Sequence, residues 1–392
     1  MNRITQMIHG SGTVSEVIKH RSAPFGEIPS RYLAFSKVDA PVVFWNLTTR
    51  CNLSCLHCYN SSGPRAGTAL ELGTNEAMHV IDDLAGMGVP LILLSGGEPL
   101  LRDDFWELAG HARAKGIKLA LSTNGTLITP RVAARLKETG IEYAGVSIDG
   151  PGPEVHDRQR NVPGSFDRAV QGIRNCLDAD LKCGIRFTAT RENVSGLEEV
   201  LRMARDLGVP RFCLYWLVPS GRGRELANGS QLTPGEAKSA LELLYLWARM
   251  LEPGEMEILT VDAPQDLVHI LQRMDEDNEG ESGHARTLAR CMGAGCSAGR
   301  RVANIDHLGN VYPCQFAQEE GFLIGNVRER PFSTLWRDEE NPVLGIFRNN
   351  ANILTGKCRG CPSVDTCGGG CRVRAYHETG QIGGDDPLCW YL

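Results

Sequence analysis

Short apolar runs alternate with amphipathic stretches between positions 41 and 218 of the chain. The first run, at 41–48, is rich in β-branched and aromatic residues, which is typical of a buried strand. After it, apolar residues from Ala77 to Leu84 fall on one helical face, and Thr74 is a suitable N-cap. The same alternation predicts later strands at 91–94, 118–122, 143–148, 184–190 and 211–218, and helices at 103–115, 129–139, 165–179 and 195–207. Six strands separated by helices predict an α/β fold with a parallel sheet, a partial (β/α)6 barrel of the TIM kind that is open on one side.

The alternation stops after position 219. A turn-rich basic loop follows, then an amphipathic helix that starts at Thr233, and then an acidic, apolar-poor stretch at 275–283 that we interpret as an exposed linker. Beyond Cys291 the elements are short, with a hairpin predicted at 302–312, as expected of a small domain held together by metal. The predicted domains are an N-terminal extension at 1–40 that packs on the barrel or acts as a lid, the barrel at 41–219, connecting helices and a linker at 220–290, and a cysteine-rich domain at 291–392.

The composition is that of an ordinary globular protein. A net charge of −6 without a long basic run argues against a nucleic-acid partner. The first ten residues lack the apolar core of a signal peptide, and no stretch reaches transmembrane length, so we expect a cytosolic protein without a membrane partner. Cytosolic thiols stay reduced, and eleven of the fourteen cysteines fall into clusters, so we interpret the clusters as metal ligands. Cys176, Cys183 and Cys213 remain, as buried thiols without a function.

The chemistry of the chain centres on the segment 51–59, which we call the cluster loop. Cys51, Cys55 and Cys58 have the spacing C-x3-C-x2-C and can hold three corners of a cubane iron–sulfur cluster. One iron then keeps an open site, and small molecules bind at open metal sites. The loop follows the first predicted strand, where α/β folds keep their active sites. On the three cysteines alone, a zinc site with His57 or a distant cysteine as its fourth ligand stays open as an alternative.

The cluster loop, with an aromatic residue after its last cysteine, resembles the radical SAM superfamily. The resemblance implies a site-differentiated 4Fe-4S cluster whose open iron is chelated by S-adenosylmethionine (SAM), and an electron that cleaves SAM to a deoxyadenosyl radical. Gly96-Gly97-Glu98-Pro99, one strand later, is similar to the segment that receives the SAM amino group in this family. The run His156-Asp157-Arg158-Gln159-Arg160 resembles an H-D-x-x-R run whose arginine pairs with the SAM carboxylate, as the planar guanidinium suits a carboxylate.

Further SAM contacts are implied by position on the same rim. Small polar residues end later strands, and turn chemistry alone explains many such sites. By the resemblance, Tyr59 lies near the adenine, with plain packing as its alternative. The full set of predicted SAM-binding residues is Tyr59, Gly96, Gly97, Glu98, Ser122, Asn124, Ser147, Asp149 and Arg160.

The C-terminal cysteines resemble the SPASM domain that many radical SAM enzymes carry. Cys296 and Cys314 fit C-x12-G-x4-C with Gly309 in place, and the later cysteines fit C-x2-C-x5-C-x3-C, with a zinc ribbon as the alternative. The resemblance implies two auxiliary 4Fe-4S clusters. Their ligands are then Cys291, Cys296, Cys314 and Cys371 for the first, and Cys358, Cys361, Cys367 and Cys389 for the second.

The resemblance extends to the haem-pathway branch of the radical SAM/SPASM enzymes. It is carried by Pro-Val-Val-Phe-Trp-Asn before Cys51, Ser-Gly-Arg-Gly at 220–223 and Cys-Gly-Gly-Gly-Cys-Arg-Val-Arg-Ala at 367–375, among other stretches. The implied substrate is an iron tetrapyrrole, and the implied reaction is removal of acetate side chains from didecarboxysiroheme to give iron-coproporphyrin III. Because tetrapyrroles carry several carboxylates, we expect arginines in the pocket. The residues predicted to bind the substrate are Arg186, Arg222 and Arg224, and further candidate cations are Arg50, Arg301, Arg372 and Arg374.

Other functions stay open at this point. The same branch includes side-chain remodelling toward d-type haem, and Trp216 stands where we expect a histidine in this branch, which leaves the exact substrate open. A peptide-modifying radical SAM/SPASM enzyme is the rival reading, although 1–40 leaves little room for a leader-binding domain. A simple iron–sulfur electron carrier is the least favoured function, because a carrier needs neither an open iron site nor residues that bind SAM. We expect the enzyme to be a monomer and to receive electrons from a low-potential donor of flavodoxin or ferredoxin type.

Overall fold

A computed structural model describes residues 1–14, 36, 38–277, 282–292 and 295–391. The strands are β1 (Asn2–Arg3), β2 (Val42–Asn46), β3 (Leu91–Ser95), β4 (Lys118–Thr123), β5 (Ile141–Ser147), β6 (Cys183–Ala189), β7 (Arg211–Trp216), β8 (Glu257–Val261), β9 (Val302–Ile305), β10 (Asn310–Tyr312) and β11 (Gly325–Asn326). The helices are α1 (Ile4–His9), α2 (Thr74–Gly86), α3 (Phe105–Ala114), α4 (Pro130–Thr139), α5 (Pro153–Arg160), α6 (Ser165–Asp178), α7 (Leu197–Asp206), α8 (Gly223–Ser230), α9 (Pro234–Met250), α10 (Asp266–Glu276), α11 (Ser282–Met292), α12 (Phe332–Arg337), α13 (Pro342–Arg348), α14 (Asn350–Ile353), α15 (Val364–Cys367) and α16 (Arg372–Thr379).

The described strands form one sheet in the order β1-β8-β7-β6-β5-β4-β3-β2-β9-β10-β11. The six predicted strands are its centre, and each pairs with the next in parallel. Helices connect them in sequence, and the apolar faces of these helices cover the sheet in one continuous core. The sheet does not close on itself, since β1 and β11 end it. The predicted open, partial barrel is therefore confirmed.

A seventh parallel strand continues the barrel beyond position 219. Strand β8 pairs with β7 in parallel, and the N-terminal β1 pairs with the other edge of β8 in antiparallel orientation. Strand β8 was not predicted within 220–290, because only Ile258, Leu259 and Val261 of its five residues are apolar. Of the predicted linker at 275–283, positions 275 and 276 belong to α10 and positions 282 and 283 to α11, whereas 278–281 lie outside the described residues.

The N-terminal extension is in part a piece of the barrel. Helix α1 packs against α9 and β8, and Ile4 and Met7 are buried in the main core. The two edge residues of β1 are also buried. Positions 15–35 and 37 lie outside the described residues, and so does the alternative that the extension acts as a lid.

The predicted hairpin of the cysteine-rich segment is present and joins the barrel. Strand β9 pairs with β10 in antiparallel orientation and with β2 in parallel, at Val42–Trp45. Asp306 Oδ1 accepts the N–H groups of Leu308 and Asn310, which closes the turn. The cysteine-rich segment is thus bonded to the strand that leads into the cluster loop. Among the described helices, none combines the length and apolar composition needed to cross a membrane.

Candidate active site

The three cysteines of the cluster loop line one cavity at the carboxyl end of β2, which we call the loop cavity. Cys51 and Cys55 are buried, and Cys58 is half-buried. The Cys51 sulfur accepts the Leu53 N–H at 3.4 Å, and Arg160 Nη1 donates to the Cys55 sulfur at 3.6 Å. Burial raises the pKa of Cys51 to about 12, so the free thiol stays protonated at neutral pH. A bound metal would deprotonate it. The donor set therefore fits the cluster that the spacing predicts.

The zinc alternative finds no support in the position of His57. Its Nε2 lies 3.2 Å from Asp149 Oδ2, so the ring is paired with a carboxylate instead of completing a set with the cysteines. Among the described residues, no three histidine, cysteine or acidic side chains converge as ligands of a single metal ion.

Gly96 and Gly97 are required by a close backbone approach between the segments that follow β2 and β3. Gly96 has φ +127°, and a Cβ on it would lie 2.5 Å from Thr48 O. A Cβ on Gly97 would lie 2.1 Å from Arg50 O. This approach lets the Gly97 N–H donate to Thr48 O at 2.7 Å and the Glu98 N–H to Arg50 O at 2.8 Å. The two glycines thus connect the segment after β3 to the segment between β2 and the cluster loop.

We expect Gly97→Ala to damage the site severely. The added methyl group meets backbone, which cannot move aside as a side chain can, so overpacking should cost about 1–3 kcal/mol and displace the cluster loop. SAM binding, measured by equilibrium dialysis on the reconstituted protein, should fall at least about tenfold. Gly110→Ala in α3 is the matched control, because a Cβ there meets nothing within 4 Å. Normal SAM binding by the Gly97 variant would contradict this account.

Glu98 was predicted to contact SAM, but its side chain does not line the loop cavity. Its carboxylate is fully buried and accepts the hydroxyl of Thr123 and the N–H of Asn124, each at 2.9 Å. Burial raises the pKa of Glu98 to about 7, against these hydrogen bonds. The side chain therefore joins the ends of β3 and β4 beneath the rim. The backbone of Gly96 and Gly97, rather than this carboxylate, lines the loop cavity.

Asp149 and Arg160 form a buried ion pair that also holds His57. Asp149 is fully buried, and its Oδ2 lies 2.5 Å from Arg160 Nη2. Burial acts to raise the pKa of Asp149, but the charges of Arg160 and His57 outweigh it and keep the carboxyl well below its usual range. Arg160 lines the loop cavity while Asp149 does not. The structure thus places Arg160 between a fixed carboxylate and the Cys55 sulfur, and Asp149 behind it.

The other predicted SAM contacts converge on the loop cavity. Tyr59, Ser122, Asn124 and Ser147 all line it. Tyr59 donates to Asn46 Oδ1 at 2.9 Å, and burial raises the pKa of its hydroxyl to about 12. Asn124 Nδ2 lies 3.8 Å from the Cys51 sulfur. Phe316, which no sequence motif indicated, also lines this cavity; it comes from the cysteine-rich segment and packs edge-on against the Tyr59 ring, with the ring centroids 5.5 Å apart.

A second, larger cavity fills the inside of the open barrel, and we call it the barrel cavity. It encloses about 1780 Å³ of empty space including its open side, against about 1010 Å³ for the loop cavity. Its wall is mostly apolar, with Leu91, Leu93 and Leu259 from the strands. Arg186 and Tyr215 line both cavities, so they stand where the two meet.

Arg186 is held in place at this junction. Its Nε donates to the Tyr215 hydroxyl at 3.0 Å, Nη2 donates to the same oxygen, and Nη1 donates to Ser122. Its guanidinium also lies over the Tyr215 ring. Within the described part of the chain these contacts use three of its five N–H groups, so two remain to bind a ligand.

The other predicted substrate arginines are placed differently. Arg222 lines the loop cavity but donates from Nε to Cys55 O at 2.9 Å, so it also supports the cluster loop. Arg224 is exposed and pairs with Glu319, outside both cavities. Arg372 and Arg374 are fully buried, and Arg374 pairs with Asp386. Of the further candidate cations, Arg301 lines the barrel cavity, whereas Arg50 lines neither cavity.

Trp216, which stands at the position where a histidine was expected, is buried. Its indole N–H donates to Asp266 Oδ2 at 2.7 Å, and the ring lines the loop cavity. Indole has no lone pair for a metal, so this position is a wall of the cavity.

The C-terminal cysteines gather in the two predicted sets, as far as they are described. Cys296, Cys314 and Cys371 line the barrel cavity and share an apolar cluster with Ala298 and Val373. The side chain of Cys291 lies outside the described residues. All four cysteines of the second predicted set, Cys358, Cys361, Cys367 and Cys389, line one small pocket. The donor sets fit additional iron–sulfur clusters.

Comparison with known proteins agrees with this geometry. Residues 45–215 match the family described as the Radical SAM superfamily, and residues 296–362 match an iron-sulfur cluster-binding domain named SPASM. The chain is 39% identical over 93% of its length to Fe-coproporphyrin III synthase of Methanosarcina barkeri, of which it covers 91%. The chain belongs to the radical SAM superfamily. It therefore uses SAM and a 4Fe-4S cluster, and its SPASM domain indicates further iron–sulfur clusters.

Two other similar proteins define the branch and the fold. Pre-heme d1 synthase of Dinoroseobacter shibae is 39% identical over 89% of this chain and 86% of its own. The crystal structure of Streptococcus suis SuiB bound to S-adenosylmethionine superposes with a TM-score of 0.69 over 90% of this chain and 78% of that one. At 18% identity, SuiB shows a shared radical SAM fold and no more.

Proposed function

We propose that this radical SAM enzyme removes acetate side chains from didecarboxysiroheme and yields iron-coproporphyrin III. The observation that carries the proposal is the 39% identity to Fe-coproporphyrin III synthase, which extends over 93% of this chain and 91% of that protein. The relatives named pre-heme d1 synthase and AdoMet-dependent heme synthase also have tetrapyrrole products in their names.

The two cavities suit two different ligands. SAM suits the loop cavity, where the cysteines, the Gly96–Gly97 backbone and Arg160 meet. An iron tetrapyrrole suits the barrel cavity, because its wall is apolar enough for a macrocycle and carries arginines for carboxylates. Arg186 stands where the two ligands would touch, so it is the best candidate to orient a substrate carboxylate toward SAM.

The resident groups follow from the cysteine sets. Cys51, Cys55 and Cys58 would hold the cluster that, when bound, supplies the electron that cleaves SAM. Two auxiliary 4Fe-4S clusters complete the proposal, one on Cys291, Cys296, Cys314 and Cys371 and one on Cys358, Cys361, Cys367 and Cys389. The first set borders the barrel cavity, close to where the substrate would bind. We expect an external low-potential donor of flavodoxin or ferredoxin type.

Turnover with the proposed substrate is the decisive experiment. Reduced, reconstituted enzyme with SAM and didecarboxysiroheme should yield deoxyadenosine and iron-coproporphyrin III, measured by chromatography and mass spectrometry. Arg186→Ala should raise the substrate concentration for half-maximal rate by about tenfold or more, as loss of a charge-assisted hydrogen bond does. Arg135→Ala is the matched control, because Arg135 also lies over an aromatic ring, Trp106, but on the outer surface.

The product decides between the candidate functions. Pre-heme d1 synthase is equally identical to this chain, so a product that keeps remodelled side chains would favour that activity instead. Deoxyadenosine without any change in tetrapyrrole mass, together with modification of a peptide, would favour a peptide-modifying enzyme. Both outcomes would contradict the deacetylase.

A further inference from the structure

Asp262 has a strained backbone at the carboxyl end of β8. Its φ is +72°, in the left-handed region that residues with a Cβ rarely adopt. Asn161 and Asp180, which share this conformation, lie just after α5 and α6, where helices often end this way. Asp262 instead follows a strand and lines the barrel cavity. Strain at such a place points to a function.

The strained backbone is held from the cysteine-rich segment. Arg374 Nη2 donates to Asp262 O at 3.0 Å. Arg374 is fully buried and is itself fixed by Asp386, to which its Nε donates at 2.7 Å and its Nη2 at 2.8 Å. Asp386 also accepts the N–H of Cys371, a predicted cluster ligand. Asp262 is thus held in position by Arg374, which lies more than a hundred residues away in the sequence.

The carboxyl group of Asp262 is available to a ligand in the barrel cavity. Its Oδ2 is buried and has no hydrogen-bond partner among the described residues. Its neighbours in the cavity wall, Val261, Ala263 and Pro264, offer no side-chain donor. A buried oxygen without a partner is costly unless a ligand satisfies it.

Several charged and titratable groups surround this carboxyl. Three basic groups act on it electrostatically, namely the Met1 amino group, whose own pKa is lowered by burial, and the guanidinium groups of Arg186 and Arg374. The charge of Asp262 contributes to raising the pKa values of Cys213, Tyr215 and Cys296. The charge of Asp266 acts to raise the pKa of the Met1 amino group. Burial raises the pKa of Asp262 to about 7, against the opposing effect of these three basic groups. The neutral acid is therefore the main form below pH 7.

We propose that Asp262 binds one side-chain carboxylate of the tetrapyrrole through a shared proton. The inference rests on the proposed function, which supplies a substrate with several carboxylates. Two ionised carboxylates would repel each other in this apolar cavity, whereas a neutral acid donates a short, strong O–H···O⁻ hydrogen bond. Binding therefore requires the proton on Asp262, and above pH 7 the complex takes one proton up.

The test is the pH dependence of tetrapyrrole binding. Iron-coproporphyrin III is titrated into the anaerobic holoenzyme without SAM between pH 6 and 9, and Kd is read from the Soret band. Affinity should be constant below about pH 7 and should fall about tenfold per pH unit above it, as one linked proton requires. Asp262→Asn keeps a hydrogen-bond donor that does not titrate, so its affinity should not change with pH over this range.

Asp180→Asn is the matched control, since Asp180 also has positive φ but is exposed and lies outside both cavities. This control should bind with the same pH dependence as the unaltered protein. If Asp262→Asn keeps the tenfold slope, the shared proton is wrong while the proposed function stands. If the unaltered protein binds no tetrapyrrole at any pH, both proposals fail.

Discussion

Replacing Cys51, Cys55 and Cys58 together by alanine is expected to remove about four irons per chain and to abolish SAM cleavage. The three thiols line one cavity, and we propose them as the ligands of a cubane cluster there. The intact protein should bind about twelve irons, four per cubane, if both auxiliary sites are filled. Iron is measured by a chelator assay after anaerobic reconstitution, and cleavage by chromatography of deoxyadenosine.

Cys176→Ala with Cys183→Ala is the control for this experiment. Both residues are fully buried and line neither cavity, so this double variant should keep the iron content and the cleavage rate. SAM cleavage at full rate by the triple variant would contradict the assignment of its cysteines as ligands. About eight irons in the intact protein would mean that one auxiliary cluster is missing.

The substitution Asp149→Asn is expected to destabilise the protein by about 3–5 kcal/mol, because removal of one partner of a buried ion pair leaves the other charge uncompensated. Asn keeps the size of the side chain and can still accept the Thr188 N–H, so the loss comes from the unpaired Arg160 and His57. The change in urea midpoint, multiplied by the common slope, gives the free-energy difference.

Arg202→Gln breaks an exposed ion pair with Glu198 and provides the comparison. Surface pairs of this kind contribute about 0.2–1 kcal/mol. A loss for Asp149→Asn no larger than that of this control would mean that the buried pair does not anchor the rim. Because Arg160 also donates to the Cys55 sulfur, we expect weaker SAM binding in the Asp149 variant as well.

The local pattern was sufficient for the parts of the molecule that neighbours in sequence determine. Alternating apolar runs and helical faces gave the six central strands, since strand and helix periodicities are properties of a few consecutive residues. The spacing of Cys51, Cys55 and Cys58 indicated one cluster, because three ligands on a short loop are held together by the loop itself. The same holds for the glycines of Gly96–Gly97, whose lack of a Cβ signals close backbone contact.

Only the tertiary structure decided where side chains point and what they meet. The Glu98 carboxylate lies beneath the rim because Thr123 and Asn124, on the next strand, supply its donors. Strand β1 pairs with β8, some 250 residues away, so two residues at the N-terminus complete a sheet edge that no short window of sequence predicts. Asp262 was missed for the same reason. Its burial, its fixed backbone and its unpaired oxygen come from Arg374 and from the cavity wall, and such contacts between distant segments exist only once the chain has folded.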